Sequence, residues 1–116
     1  MSKAIENYID IAGGLTRIGG NKDLYRRLLG KFESSVNIEG LDAAIAAKDF
    51  EEAGSIVHAA KGAAGNLSLT AFFEQSAVLM EQLRGGGVPK DEDVRLFRQL
   101  YEETKQAIDE YLASAG

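Results

Sequence analysis

The segment that decides the fold reads Ser55-Ile-Val-His58-Ala-Ala-Lys61-Gly62-Ala-Ala-Gly65-Asn66-Leu67. On a helical wheel, at about 100° per residue, one side of this segment is apolar, and we expect that side to face a core. His58 lies well over a quarter-turn from the centre of the apolar side, within a stripe of small residues, and Lys61 flanks the stripe. The apolar side consists of Ala53, Val57, Ala60, Ala64 and Leu67, and the stripe consists of Gly54, Ser55, Gly62 and Gly65.

The small-residue stripe breaks a local rule of helix composition. Glycine costs roughly 1 kcal/mol relative to alanine in a helix interior, and a helix that needed only solubility would carry charged residues there. The stripe therefore indicates that another surface comes close to His58. Neutral imidazole is a nucleophile that can attack phosphorus. Lys61, one turn further on, offers a positive charge that offsets a phosphoryl group.

Helical patterns continue on the C-terminal side of this segment. Asp49 and Glu52 have the spacing of a capping box, which predicts that the His58 helix starts there and runs to about Leu67. Ser68 can cap the next helix, which Gly85-Gly86-Gly87 would end. The apolar stripe of that helix is Leu69, Phe72, Phe73, Ser76, Met80 and Leu83. A last helix starts near Lys90, with a seam of Val94, Phe97, Tyr101, Thr104, Ile108 and Tyr111.

The N-terminal part also reads as helical. A short first helix is indicated by Ile5, Tyr8, Ile9 and Ala12, and Leu15 and Ile18 form an apolar turn between two glycine pairs. Asn21 is a good N-cap for a longer helix from about 21 to 47, bent near Ser34-Ser35 or Gly40.

The whole pattern predicts an all-α fold. No segment alternates with period two, so we expect no strands, and the helices with their short links predict an antiparallel four-helix bundle. The short extra N-terminal helix would pack across one end, and residues 1–116 would form a single domain. We place the aromatic residues Phe72, Phe73, Phe97 and Tyr101 in the core.

Composition excludes several classes of function. The chain has 116 residues, a net charge of −5 and no cysteine, so it has no disulfides, no thiolate metal site and no cysteine nucleophile. An acidic chain is a poor candidate for nucleic-acid binding through bulk charge. It also lacks an apolar run long enough for a membrane span or a signal peptide, so we expect a cytoplasmic protein. We find no Walker or kinase phosphate loop either, so the domain should receive a phosphoryl group and pass it on.

The His58 segment resembles the histidine-containing phosphotransfer (HPt) motif, roughly H-x-x-K-G-[SA]-[SA]-x-x-[IL]-G. The residues His58, Lys61, Gly62, Ala63, Ala64 and Leu67 match it, whereas Ser68 stands where the family usually has glycine. The resemblance extends over residues 5 to 112 through two weaker stretches, from Gly14-Leu15 to Leu24-Tyr25 and from Ala77 to Glu81.

The resemblance implies a cytoplasmic, monomeric bundle that shuttles phosphoryl groups between receiver-domain aspartates. Its partners would be response-regulator receiver domains, a hybrid sensor histidine kinase, or both. By motif position His58 is the phosphoacceptor, Lys61 the electrostatic helper, and Gly62 the residue that leaves room for the partner. Gly54, Ser55 and Gly65 would belong to the docking face. The chain itself would need no cofactor, because Mg²⁺ belongs to the partner receiver.

Other interpretations stay open at this point. A metal or haem bundle fits poorly, because a di-iron bundle needs several glutamates and paired histidines, and this chain has one histidine and no cysteine. A docking bundle without phosphochemistry would leave the stripe unexplained. The domain could also be the phosphorylated part of a larger kinase. Gly65 could serve only close helix packing. A basic strip formed by Lys22, Arg26, Arg27 and Lys31 could face an acidic receiver, although a solvated helix face is the simpler interpretation.

Overall fold

The structure is a computed structural model that describes residues 4–114. Seven α-helices follow one another in this part of the chain, with 3-10 turns at Ile5–Asn7 and Arg84–Gly86. They are α1 (Ile11–Arg17), α2 (Lys22–Gly30), α3 (Phe32–Ser35), α4 (Ile38–Ala46), α5 (Phe50–Leu67), α6 (Thr70–Leu83) and α7 (Asp91–Ala113). No strand occurs in the described range, so the predicted all-α fold is confirmed.

The bundle forms because each long helix has one apolar face. Helix α5 packs against α4 on one side and α6 on the other, and α7 packs against α6 and α2. The aromatic centre joins three helices, α3, α6 and α7, with the rings of Phe72 and Phe97 4.7 Å apart and those of Phe32 and Phe72 5.4 Å apart. Tyr101 completes this cluster and donates its hydroxyl hydrogen to the Glu33 carbonyl at 2.9 Å. The α7 seam is therefore core, as the sequence predicts.

The helix predicted over 21–47 is divided into α2, α3 and α4. The Asn21 carboxamide accepts a hydrogen bond from the Leu24 N–H, so the predicted cap is confirmed. The chain leaves helical geometry at Val36, just after two serines whose hydroxyls bond back to main-chain carbonyls and compete with the helix. Asn37 then caps α4. The predicted break near Ser34-Ser35 is correct, whereas Gly40 lies inside α4 and ends nothing.

The N-terminal helix differs from the sequence prediction. It begins at Ile11 rather than near Ile5, because the Asp10 carboxylate caps it by accepting a hydrogen bond from the Gly13 N–H. It therefore contains the Gly13-Gly14 pair instead of ending there. Gly14 is needed by packing, because a Cβ atom at this position would lie 2.3 Å from the Tyr25 hydroxyl oxygen.

Ser68 does not cap α6, contrary to the sequence prediction. It is the residue that ends α5, in the left-handed conformation with φ 57° and ψ 43°. The next amide, that of Leu69, closes the helix end by donating to the Ala64 carbonyl at 2.9 Å. This conformation favours glycine, which gives a physical reason for the glycine that the HPt motif carries at this position.

Within residues 4–114, no helix is long and apolar enough to cross a membrane.

Candidate functional site

Helix α5 presents His58 on the side of the bundle that faces solvent. Asp49 starts the helix by accepting a hydrogen bond from the Glu52 N–H at 3.1 Å, as the capping pattern predicts. The predicted core face is confirmed, because Ala53, Val57, Ala60, Ala64 and Leu67 are all buried, together with Ile56. His58 is exposed. Among residues 4–114, no hydrogen bond or ion pair occupies its imidazole, so both ring nitrogens are open to a reactant.

A cavity of about 540 Å³ opens beside His58. Its α5 wall contains three of the residues singled out in the sequence, Lys61, Gly62 and Gly65. Residues from three other parts of the chain complete it, so the site is shaped by tertiary packing and not by α5 alone. The further lining residues are Ala64 and Asn66 on α5 and, outside it, Asp10, Arg17, Ser68, Leu69, Thr70, Phe73 and Glu74.

Phe73 belongs to this cavity, and its assignment to the core was wrong. Its side chain is 37% exposed, because α6 buries Phe72 and the next residue points about 100° away, toward the outer side of α5. Lys61 lies over this ring, with its Nζ 5.5 Å from the ring centroid. The cation–π contact directs the Lys61 ammonium along the cavity wall, an arrangement that the α5 sequence alone does not reveal.

Two glycines of the stripe have different surroundings. Among residues 4–114, a Cβ atom at Gly62 would meet nothing within 4 Å, so the described residues give no packing reason for a glycine at this exposed position. A Cβ atom at Gly65 would lie 3.1 Å from the Phe73 Cε1 atom, so Gly65 makes room for that ring. The interpretation that Gly65 serves close packing therefore has a structural basis, and a part for Gly65 in docking stays a prediction.

The other two small residues of the stripe lie before His58 and outside the cavity lining. Gly54 is half-buried, and a Cβ atom there would be 4.0 Å from the Cβ of Leu83. Ser55 is exposed. The contact of Gly54 and Ser55 with a partner stays a prediction.

The basic strip on α2 does not act as a unit. Arg26 is used inside the fold: its guanidinium donates to the Leu112 carbonyl at 2.6 Å and lies 5.2 Å from the centroid of the Tyr111 ring. Lys31 lines a second cavity of about 540 Å³ that also includes Arg17 and Asn66, two residues of the His58 cavity wall. Lys22 and Arg27 are exposed and line neither cavity.

Within the described residues, no three His, Cys, Asp or Glu side chains lie close enough together to hold a metal ion. The assignment of Mg²⁺ to a partner receiver stays a prediction.

The fold and site define a class of protein, a helical bundle that displays one histidine on an open helix face. Residues 28–112 match the family model of the Hpt domain, and the chain therefore belongs to the Hpt domain family. The family consists of phosphocarriers that act by histidine phosphotransfer in phosphorelays. Comparison with curated proteins and with solved structures finds no match. The family match begins within α2, so α1 lies outside it.

Proposed function

We propose that this chain is a phosphorelay intermediate that accepts a phosphoryl group on His58 and exchanges it with the aspartates of receiver domains. The observation that carries the proposal is the exposed imidazole, which has no hydrogen-bond partner among residues 4–114 and lies beside an open cavity, in a chain that belongs to the Hpt domain family. His58 is the single histidine of the chain, so no other residue can form phosphohistidine.

The transfer needs little from this chain beyond position. The lone pair of the neutral imidazole attacks the phosphorus of a receiver phosphoaspartate; a P–N bond forms as the acyl P–O bond breaks. The aspartate leaves as a carboxylate, and the imidazole N–H proton passes to solvent. The reverse steps hand the group to the next receiver. Mg²⁺ expected on the receiver would neutralise phosphoryl charge from the partner's side.

Lys61 and Gly62 assist in different ways. The Lys61 ammonium, held at the cavity wall over Phe73, offsets the charge of the incoming phosphoryl group as a point charge. Gly62 leaves the space next to His58 empty, which lets the receiver backbone approach. Gly54, Ser55 and Gly65 extend this docking face. The chain makes no phosphohistidine from ATP by itself.

The test is phosphoryl transfer from a purified, phosphorylated receiver. We expect the parent protein to acquire an acid-labile, alkali-stable label and His58→Gln to acquire none. Since His58 is exposed and makes no internal hydrogen bond among the described residues, the variant should keep the parent's circular dichroism and melting temperature. Labelling of His58→Gln with the same stability profile would overturn the assignment. Failure of a broad panel of receivers to label the parent would favour a docking bundle without phosphochemistry.

A further inference from the structure

Arg17 occupies a position that the proposed chemistry does not use. It is the last residue of α1, it is exposed, and it lines both the His58 cavity and the second cavity next to it. We name the second cavity the α1–α2 groove; it is lined by Arg17, Ile18, Leu28, Lys31, Phe32, Ser35, Ala63, Asn66 and Leu67. Among residues 4–114, the Arg17 guanidinium has no hydrogen bond, ion pair or ring contact.

The fold holds α1 firmly in place. The Asp10 N–H donates to the Ser68 carbonyl at 2.9 Å, which ties the start of α1 to the end of α5. Gly14 lies against Tyr25, whose hydroxyl donates to the Leu67 carbonyl at 2.7 Å. The backbone that carries Arg17 is therefore fixed relative to the His58 helix, and only the arginine side chain itself is free to reach outward.

The charges around Arg17 differ between the two cavities. In the His58 cavity, the carboxylates of Asp10 and Glu74 offset the positive charges of Arg17 and Lys61. The Asp10 carboxylate is already engaged as the cap of α1. The α1–α2 groove carries Arg17 and Lys31 and no carboxylate, and the rest of its lining is mainly apolar. A partner surface that covers both cavities would therefore contact Arg17 at a positively charged place. Acidic side chains on the partner would be favoured there.

We propose that Arg17 is a selectivity-determining residue that contacts an acidic rim on the receiver when it docks over His58. This inference rests on the proposed function. Arg17 lies outside the region that matches the Hpt family. The contact would therefore add a preference for particular receivers to the histidine phosphotransfer that the family shares. Charges at the rim of an interface act on encounter and specificity more than on the reacting atoms.

The test compares Arg17→Glu with Arg95→Glu. Arg95 is also an exposed helical arginine, but it lies on α7 and lines neither cavity, so both variants make the same change in net charge. With a receiver that labels the parent, we expect Arg17→Glu to raise KM on the order of tenfold at low ionic strength. The kcat should stay within about twofold, and the difference in KM should shrink in high salt because exposed charges are screened. Arg95→Glu should behave as the parent.

A small phosphodonor separates docking from chemistry. Labelling of His58 by phosphoramidate should be equal in the parent and in Arg17→Glu, because it needs no protein surface. Equal KM values for Arg17→Glu and Arg95→Glu would overturn the inference and leave the proposed function standing. Slower phosphoramidate labelling of Arg17→Glu would also overturn it, since Arg17 would then act on the phosphoryl group. If no receiver labels the parent, the proposed function fails and this inference fails with it.

Discussion

Replacement of Gly62 by glutamine tests the open face beside His58. A Cβ atom at this position meets nothing within 4 Å, so the new side chain extends into solvent and displaces nothing inside the bundle. Glutamine is also a better helix former than glycine, by about 0.5–1 kcal/mol. We therefore expect Gly62→Gln to fold normally and to melt a few degrees above the parent, about 2–5 °C for a domain of this size.

Transfer from a receiver should respond in the opposite direction. In the proposed docking, the glutamine side chain would fill the space through which the receiver backbone approaches His58. A displacement of the reacting atoms by about 1 Å costs on the order of a hundredfold in rate. Labelling by phosphoramidate should be nearly unchanged. The quantity to measure is the ratio of the two rates, because a general effect on the reactivity of the imidazole cancels in it.

Gly30→Gln is the matched control. Gly30 is likewise an exposed helical glycine whose Cβ would have room, with the nearest heavy atom 4.0 Å away, and it lines neither the His58 cavity nor the α1–α2 groove. It should share any gain in stability and leave both rates unchanged. Receiver transfer by Gly62→Gln at the parental rate would refute the docking role of this position. An equal loss with both donors would show that the side chain acts on His58 itself.

Four further variants probe charge, backbone, hydrogen bonding and core. Lys61→Ala should slow receiver transfer about tenfold without abolishing it, because one charge contact is worth roughly 1–2 kcal/mol. An unchanged single-turnover rate would show that Lys61 is an ordinary surface lysine with no role in the transfer. Ser68→Gly should raise the free energy of unfolding by about 1 kcal/mol in urea titration, because φ is 57°, and a loss of stability would contradict this account. Tyr25→Phe should lose about 1–2 kcal/mol at neutral pH, because the Leu67 carbonyl loses its donor. Burial raises the pKa of Tyr25 to about 12, so the parent should lose stability as the pH rises from 10 towards 12. Chemical denaturation should show a smaller loss of stability for Tyr25→Phe over the same pH range. Phe97→Asp should unfold the bundle or cost several kcal/mol, seen by circular dichroism, because it buries an unpaired charge; full stability would refute the α7 register.

The parts of the fold that the sequence predicts well depend on local periodicity. The core face of α5 and the α7 seam repeat every three or four residues, and burial follows that repeat along each helix. The caps at Asn21 and Asp49 are also local, because each depends on one side chain and an amide three residues on. His58 was recognisable as a candidate for the same reason, since its whole stripe lies on one helix.

The features that the sequence did not reveal depend on contacts between distant segments. Phe73 fits the apolar pattern of α6, and only the space above Gly65 shows that its ring belongs to the cavity. Arg17 is more than forty residues before His58, and it reaches the site because α1 is tied to the end of α5. Arg26 looked like part of a basic strip, whereas it caps the carbonyls at the end of α7. Asn66 could have been predicted as a residue of the His58 cavity, because it lies about two turns after His58 on the same helix.

The structure also divides the glycine stripe, which the sequence presents as one feature. Gly65 makes room for Phe73, whereas a Cβ atom at Gly54 would lie at an ordinary contact distance, 4.0 Å, from the Leu83 Cβ and would crowd nothing. Within the described part of the chain, a Cβ atom at Gly62 would have no neighbour within 4 Å. A glycine beside His58 that costs helix stability and relieves no internal crowding favours an explanation outside the chain, such as the approach of a partner. Close approach of a partner is therefore tested most cleanly at Gly62, because a large residue at Gly65 would disturb Phe73 and Lys61 before it reached a receiver.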